Sequence, residues 1–139
     1  NIIAEWIPVM ESAGLNYDIE IPETEYEILA DQNAFTRILN NLLQNVMIHS
    51  EADHVMLRMT EDTRQAEITV TDNGKGIPED DLPHIFERMY QCDGSRSAKG
   101  NGLGLSIAKE LVSAHKGTIT AASTTGAGTT FTILLPKAL

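Results

Sequence analysis

Asp72-Asn73-Gly74-Lys75-Gly76-Ile77-Pro78 sets a carboxylate beside two glycines, and Gly100-Asn101-Gly102-Leu103-Gly104-Leu105 repeats the glycine spacing further along the chain. Upstream, Asn41 and Asn45 stand four apart in a stretch with helical periodicity; downstream, Gly126 and Gly128 precede Thr129. Glycines let a backbone run close to a ligand. A glycine loop that opens a helix turns unsatisfied N–H groups and the positive end of the helix dipole toward anions. Amide side chains offer neutral oxygens to a hard cation. Together these types suit a ligand that carries phosphates at one end and a hydrogen-bond donor at the other.

Asp72 is the residue best placed to read that donor. Ala66, Ile68 and Val70 share one face of a strand-patterned run, and alternation puts Asp72 at the end of the same inward face. A carboxylate aimed at a core needs a donor, because an unpaired buried charge costs several kcal/mol. An exocyclic amine such as that of adenine would supply one and would separate adenine from guanine nucleotides. Taken alone, Asp-Asn-Gly reads equally well as a turn between strands. Asn41 and Asn45 fall on one shoulder of an apolar helical stripe, one turn apart, where both amides can face one cleft; a solvated helix edge is the blander alternative. A lone G-x-G-x-G also occurs in dinucleotide-binding folds. That reading fails here because a long polar stretch, rather than a strand in an early βαβ unit, precedes Gly100.

The elements that must hold these residues follow from periodicity. Phe35, Ile38, Leu39, Leu42, Leu43, Val46 and Met47 predict an amphipathic helix over 32–49, N-capped by Asp31. A semi-apolar helix is predicted over 2–13, ending at Gly14, with short strands at 16–21 and 26–30. Alternation predicts antiparallel strands at 54–60 and 66–71 joined by a polar turn. A short helix is expected over 79–86, a mobile loop over 88–101, and a helix over 102–116 ending at Gly117. Strands at 118–122 and 129–135 close the chain, split by Gly126-Ala127-Gly128. Strands under a few helices on one face give an α/β two-layer sandwich, a mixed and mostly antiparallel sheet covered by about three helices.

Bulk properties agree. The 139 residues, 42% of them hydrophobic, suit a single domain spanning 1–139. With 20 acidic against 10 basic residues the net charge is −10, which disfavours a nucleic-acid or anionic membrane surface. No run approaches the roughly 18 consecutive apolar residues of a membrane helix. The single cysteine, Cys92, excludes an internal disulfide framework and suits a reducing cytoplasm; it reads as a bystander in a polar segment.

The order of an asparagine helix, an aspartate with glycines, a second glycine loop and a last glycine pair resembles the ATP-binding catalytic domain of sensor histidine kinases. That domain is a branch of the ATPase superfamily shared with gyrase and heat-shock chaperones, and the likeness covers about residues 1–136. It implies the Bergerat α/β fold and a Mg-ATP site. Asp72 matches the family's adenine-binding aspartate, with Gly74, Gly76 and Ile77 beside it. Asn45 matches the metal-ligating asparagine, which the resemblance implies is also the catalytic position, and Asn41 the second polar position of that motif. Gly100, Gly102, Leu103, Gly104 and Leu105 match the phosphate loop, and Thr129 the hydroxyl near the adenine end, although a plain hairpin turn also explains Gly126 to Thr129. Tyr90, Lys99 and His49 complete the expected binding set; a solvated lysine and a capping histidine are the alternatives for the last two. Phe86-Glu87-Arg88-Met89-Tyr90 resembles the family's phenylalanine box, which packs the segment over the nucleotide against the body.

Met89 stands where an aromatic is typical, and two departures from the family pattern matter more: Ile48 stands where a cation that reaches phosphate is usual, and Gln91 where an arginine is common. The family's acceptor histidine precedes an acidic residue, whereas His49, His54, His84 and His115 precede Ser, Val, Ile and Lys. The chain is therefore expected to be the ATP-binding half of a two-domain kinase core. It would be monomeric by itself and cytoplasmic within a parent that could be membrane-anchored, with no direct membrane contact of its own. Its partners would be the histidine-containing dimerisation domain of the same kinase and a response regulator. Alternatives are a stand-alone anti-sigma-factor serine kinase of the same superfamily and a degenerate nucleotide-sensing module.

Overall fold

A computed structural model describes residues 2–20, 32–49, 53–87 and 104–136. The elements run α1 (Ile2–Ser12), β1 (Asn16–Glu20), α2 (Gln32–His49), β2 (His54–Glu61) and β3 (Gln65–Asp72), then a 3₁₀ turn (Leu82–His84), α3 (Gly104–Ala114), β4 (Thr118–Thr124) and β5 (Gly128–Pro136). The five strands form one sheet in the order β1-β2-β3-β5-β4. Among the described residues, only β1 and β2 pair in parallel, with α2 between them in sequence, and the other pairings are antiparallel.

Each element forms where its apolar spacing demands burial. In α2 the three-and-four repeat places Ile38, Leu39, Leu42, Leu43 and Val46 in the core, and in α3 Ala108 and Val112 complete the helix layer. The strands supply Val55, Leu57, Ile68, Val70, Ile133 and Leu135, with Phe131 at the centre of the set and fully buried. Each such side chain contributes about 1.5–3 kcal/mol by leaving water. Phe86 meets Phe131 edge-on at 6.2 Å, and the Lys109 ammonium lies 5.6 Å over the Phe86 ring. The phenylalanine expected to pack against the body thus touches both the sheet and α3.

Two local expectations change. The helix expected over 79–86 is instead a turn followed by the three-residue 3₁₀ segment Leu82–His84. Pro83 has no N–H to donate to the carbonyl one helical turn back, so an α-helix cannot run through it. At the end of α3 the left-handed residue is Lys116, at φ 63, not Gly117. The Gly117 N–H donates to the Val112 carbonyl at 2.9 Å and that of Lys116 to Ser113 at 3.0 Å, which closes the helix. Gly117 is required for a different reason: a Cβ there would strike the Leu134 carbonyl. The strand expected at 26–30, the cap at Asp31 and the loop over 88–101 lie outside the described residues.

Candidate functional site

Asp72 ends β3 on the buried face and is 4% exposed. Its Oδ1 accepts the Gly74 N–H at 2.8 Å, and the Thr129 backbone N–H donates to the same carboxylate. Burial pushes the Asp72 carboxyl above its ordinary value, and these two backbone donors pull it partly back. A carboxylate offers about four lone-pair sites, so capacity for a further donor remains.

The loop after Asp72 is held in place by strands that lie far from it in sequence. Asn73 accepts the N–H groups of Asp53 and His54 on its Oδ1, each at 3.0 Å, and donates from Nδ2 to the Asp53 carboxylate at 2.6 Å. On the other side the Gly126 N–H donates to the Lys75 carbonyl at 2.7 Å, and the Ile77 N–H to the Ser123 hydroxyl at 2.7 Å. Gly76 has φ +78 and Gly128 φ +116, and each lies against backbone. A Cβ on Gly76 would strike the Thr124 carbonyl, and one on Gly128 the Asp72 carbonyl. The two glycine turns, one after β3 and one before β5, therefore close on each other as a single hydrogen-bonded unit that contains Asp72, Gly74, Gly76, Ile77 and Thr129.

A second group forms between helices. Gly104 opens α3 in the described chain, and a Cβ there would lie 4.0 Å from the Asn41 Cβ, so α2 and α3 pass closely at this point. Asn41 and Asn45 are both half-buried, one turn apart. Leu105, next along α3, packs against the core. Asn40, the neighbour of Asn41, accepts the Trp6 indole N–H at 2.6 Å, which ties α1 to α2. The side chain of His49 lies outside the described residues, as do Tyr90, Lys99, Gly100, Gly102 and Leu103.

Among the described residues, no group of three or more His, Cys, Asp or Glu side chains is placed to hold a metal ion. A magnesium ion bound through the half-buried Asn45 amide and ligand phosphates fits this arrangement, since such an ion commonly takes few protein ligands. Among the described residues, no helix is long and apolar enough to cross a membrane. Ser123 and Asn73 escaped the sequence reading. The Ile77 N–H that Ser123 accepts and the Asp53 and His54 groups that Asn73 meets belong to distant parts of the chain, and short-range spacing carries no trace of them.

The family described as histidine kinase-, DNA gyrase B-, and HSP90-like ATPase matches residues 30–139. Sensor histidine kinase WalK of Bacillus subtilis is 40% identical over 98% of this chain, which spans 23% of that protein. Sensor histidine kinase YcbM of the same organism is 38% identical over 97% of this chain, which spans 44% of it. The chain thus covers less than half the length of either curated relative. The solved mycobacterial sensor histidine kinase MprB is similar at TM-score 0.82 and 28% identity, over 98% of this chain and 93% of that one. Full-length ShkA in complex with AMPPNP is similar at TM-score 0.82 and 26% identity, over 99% of this chain and 29% of that one.

Proposed function

The chain belongs to the histidine kinase-, DNA gyrase B- and HSP90-like ATPase family, and from that premise we propose that it binds Mg-ATP and presents the γ-phosphate to a histidine on a separate dimerisation domain of a two-component sensor kinase. The observation that carries the adenine end is the Asp72 carboxylate, buried at the end of β3 and held by the backbone N–H groups of Gly74 and Thr129. In this reading Asp72 accepts the exocyclic amine of adenine. Gly74 and Gly76 let the backbone pass close to the base, Ile77 and Leu105 supply apolar walls, and the Thr129 hydroxyl faces the ring edge.

The phosphate end falls to Asn41, Asn45 and the start of α3 at Gly104. Asn45 is the metal ligand, and Asn41 contacts phosphate or a metal-bound water. When bound, Mg²⁺ neutralises phosphate charge. Tyr90, Lys99, Gly100, Gly102, Leu103 and His49 complete the proposed set by their positions in sequence. Catalysis on this account is positioning: the domain fixes the nucleotide and the partner domain supplies the nucleophilic imidazole.

The sensor histidine kinases among the relatives support histidine over serine as acceptor. The AMPPNP complex of ShkA supports an adenine nucleotide as ligand. A response regulator downstream and a cytoplasmic setting belong to the same proposal. Calorimetric titration of ATP with and without Mg²⁺ tests it: binding that is measurable and tightened by Mg²⁺ is expected, and no binding under either condition would overturn it.

A further inference from the structure

Ser123, Thr129 and Asp72 form one row across the sheet. Thr129 pairs with Asp72 in the β3–β5 ladder and with Ser123 in the β4–β5 ladder. Residues paired directly across antiparallel strands point to the same face, so the three side chains stand side by side at one end of the sheet. Ser123 sits at the end of this row with three polar neighbours: the Ile77 N–H at 2.7 Å, the Gly128 carbonyl at 3.0 Å and the Thr129 hydroxyl at 2.9 Å.

Hydrogen-bond accounting fixes the direction of each bond. A serine hydroxyl has one proton and two lone pairs. The Gly128 carbonyl has no proton to give, so Ser123 donates its own there. The Ile77 N–H occupies one lone pair, and Thr129 must donate to the other. With its proton committed to Ser123, the Thr129 Oγ1 turns only lone pairs toward Asp72, whose ionised carboxylate is likewise an acceptor. The row then offers a ligand acceptors alone.

We propose that Ser123 is a specificity-determining positioning residue: by taking the Thr129 hydroxyl proton it leaves an acceptor-only edge that selects a 6-aminopurine and rejects a 6-oxopurine. This rests on the adenine site proposed above. An amino group at position 6 donates into the row, directly or through a water that donates to Thr129. A carbonyl there faces lone pairs at the point where the amine would donate, and the one donor that edge brings, the N1–H, stands one ring position away, which is how a polar site rejects a near-isostere. Without the Ser123 hydroxyl, the Thr129 hydroxyl is free to rotate and donate to the carbonyl.

The test is the ratio of affinities for ATP and inosine triphosphate, measured by calorimetry in Mg²⁺ for the parent, Ser123→Ala, Ser123→Thr, Thr129→Val and the Ser123→Ala/Thr129→Val pair. The parent should prefer ATP. Ser123→Ala should lower that preference about tenfold, the worth of one neutral hydrogen bond, and Ser123→Thr should restore it. Thr129→Val should lower it too, and Ser123→Ala should then change nothing further. A folded Ser123→Ala chain with the parental ratio, or equal effects of Ser123→Ala with and without the Thr129 hydroxyl, would overturn the role of Ser123 and leave the adenine site standing. If Ser123→Ala does not fold, Thr129→Val decides, since a parental ratio in that variant overturns the proposal. Equal parental affinity for the two nucleotides would overturn the adenine site itself, and the role of Ser123 with it.

Discussion

The Thr129 backbone N–H donates to the Asp72 carboxylate across the β3–β5 ladder, so the strand after the second glycine turn holds the buried acid that ends the strand before the first. Position 129 thus serves twice, once through its backbone and once through its hydroxyl. Gly128, immediately before it, lies so close to the Asp72 carbonyl that a side chain there has no room.

Gly128→Ala should consequently be severe. At φ +116 an L-residue is strained, and the added Cβ collides with backbone rather than with a side chain that could swing away. The expected loss is about 2 kcal/mol or more, read as a lower urea midpoint at unchanged slope. A midpoint equal to the parent's would mean that the two turns do not close on each other as described.

Asn45→Ala should remove the Mg²⁺ dependence of ATP binding while leaving adenine selectivity intact. Few protein oxygens are available to the ion, which otherwise keeps waters and phosphates. Titrations with and without Mg²⁺ should coincide in the variant and differ in the parent. If Mg²⁺ still tightened binding in the variant as it does in the parent, the metal would have to be held by another residue.

Acid should favour the parent over Asp72→Asn. Burial raises the Asp72 carboxyl above its ordinary 3.8, so between that value and the raised one the folded chain binds more protons than the unfolded chain. Stability contributed by this group therefore falls as pH rises through that window, and it is recovered on acidification. The difference in thermal midpoint, variant minus parent, should be larger at pH 7 than near pH 4, whatever its absolute size. A difference that is flat with pH, or that grows on acidification, would show that the carboxylate bears no net cost of burial.

Much of this architecture was legible in the chain because the apolar residues recur at regular intervals. The repeat from Ile38 to Val46 predicted α2 with both ends in place, and the alternation from Ala66 to Val70 predicted the inward direction of Asp72. Reading failed where a single residue overrides the local pattern. Pro83 turned an expected helix into a 3₁₀ turn, and Lys116 took the left-handed position expected of Gly117. It was blind where the bond partner is distant: the Ser123 hydroxyl with Ile77, the Asn73 amide with the start of β2, and the Trp6 indole with Asn40. Each of these is a polar side chain that satisfies backbone or amide groups from another part of the chain. Its identity alone does not distinguish it from a solvated serine or asparagine.

The central claim is that Asp72 reads adenine, and calorimetric titration of ATP into the parent and Asp72→Ala chains tests it most directly. A charged acceptor lost from a buried hydrogen bond is worth about 1.5–3 kcal/mol, so affinity should fall by one to two orders of magnitude. Circular dichroism should show the variant still folded, and the parent should bind GTP far more weakly than ATP. A folded Asp72→Ala chain that binds ATP as tightly as the parent would contradict the account.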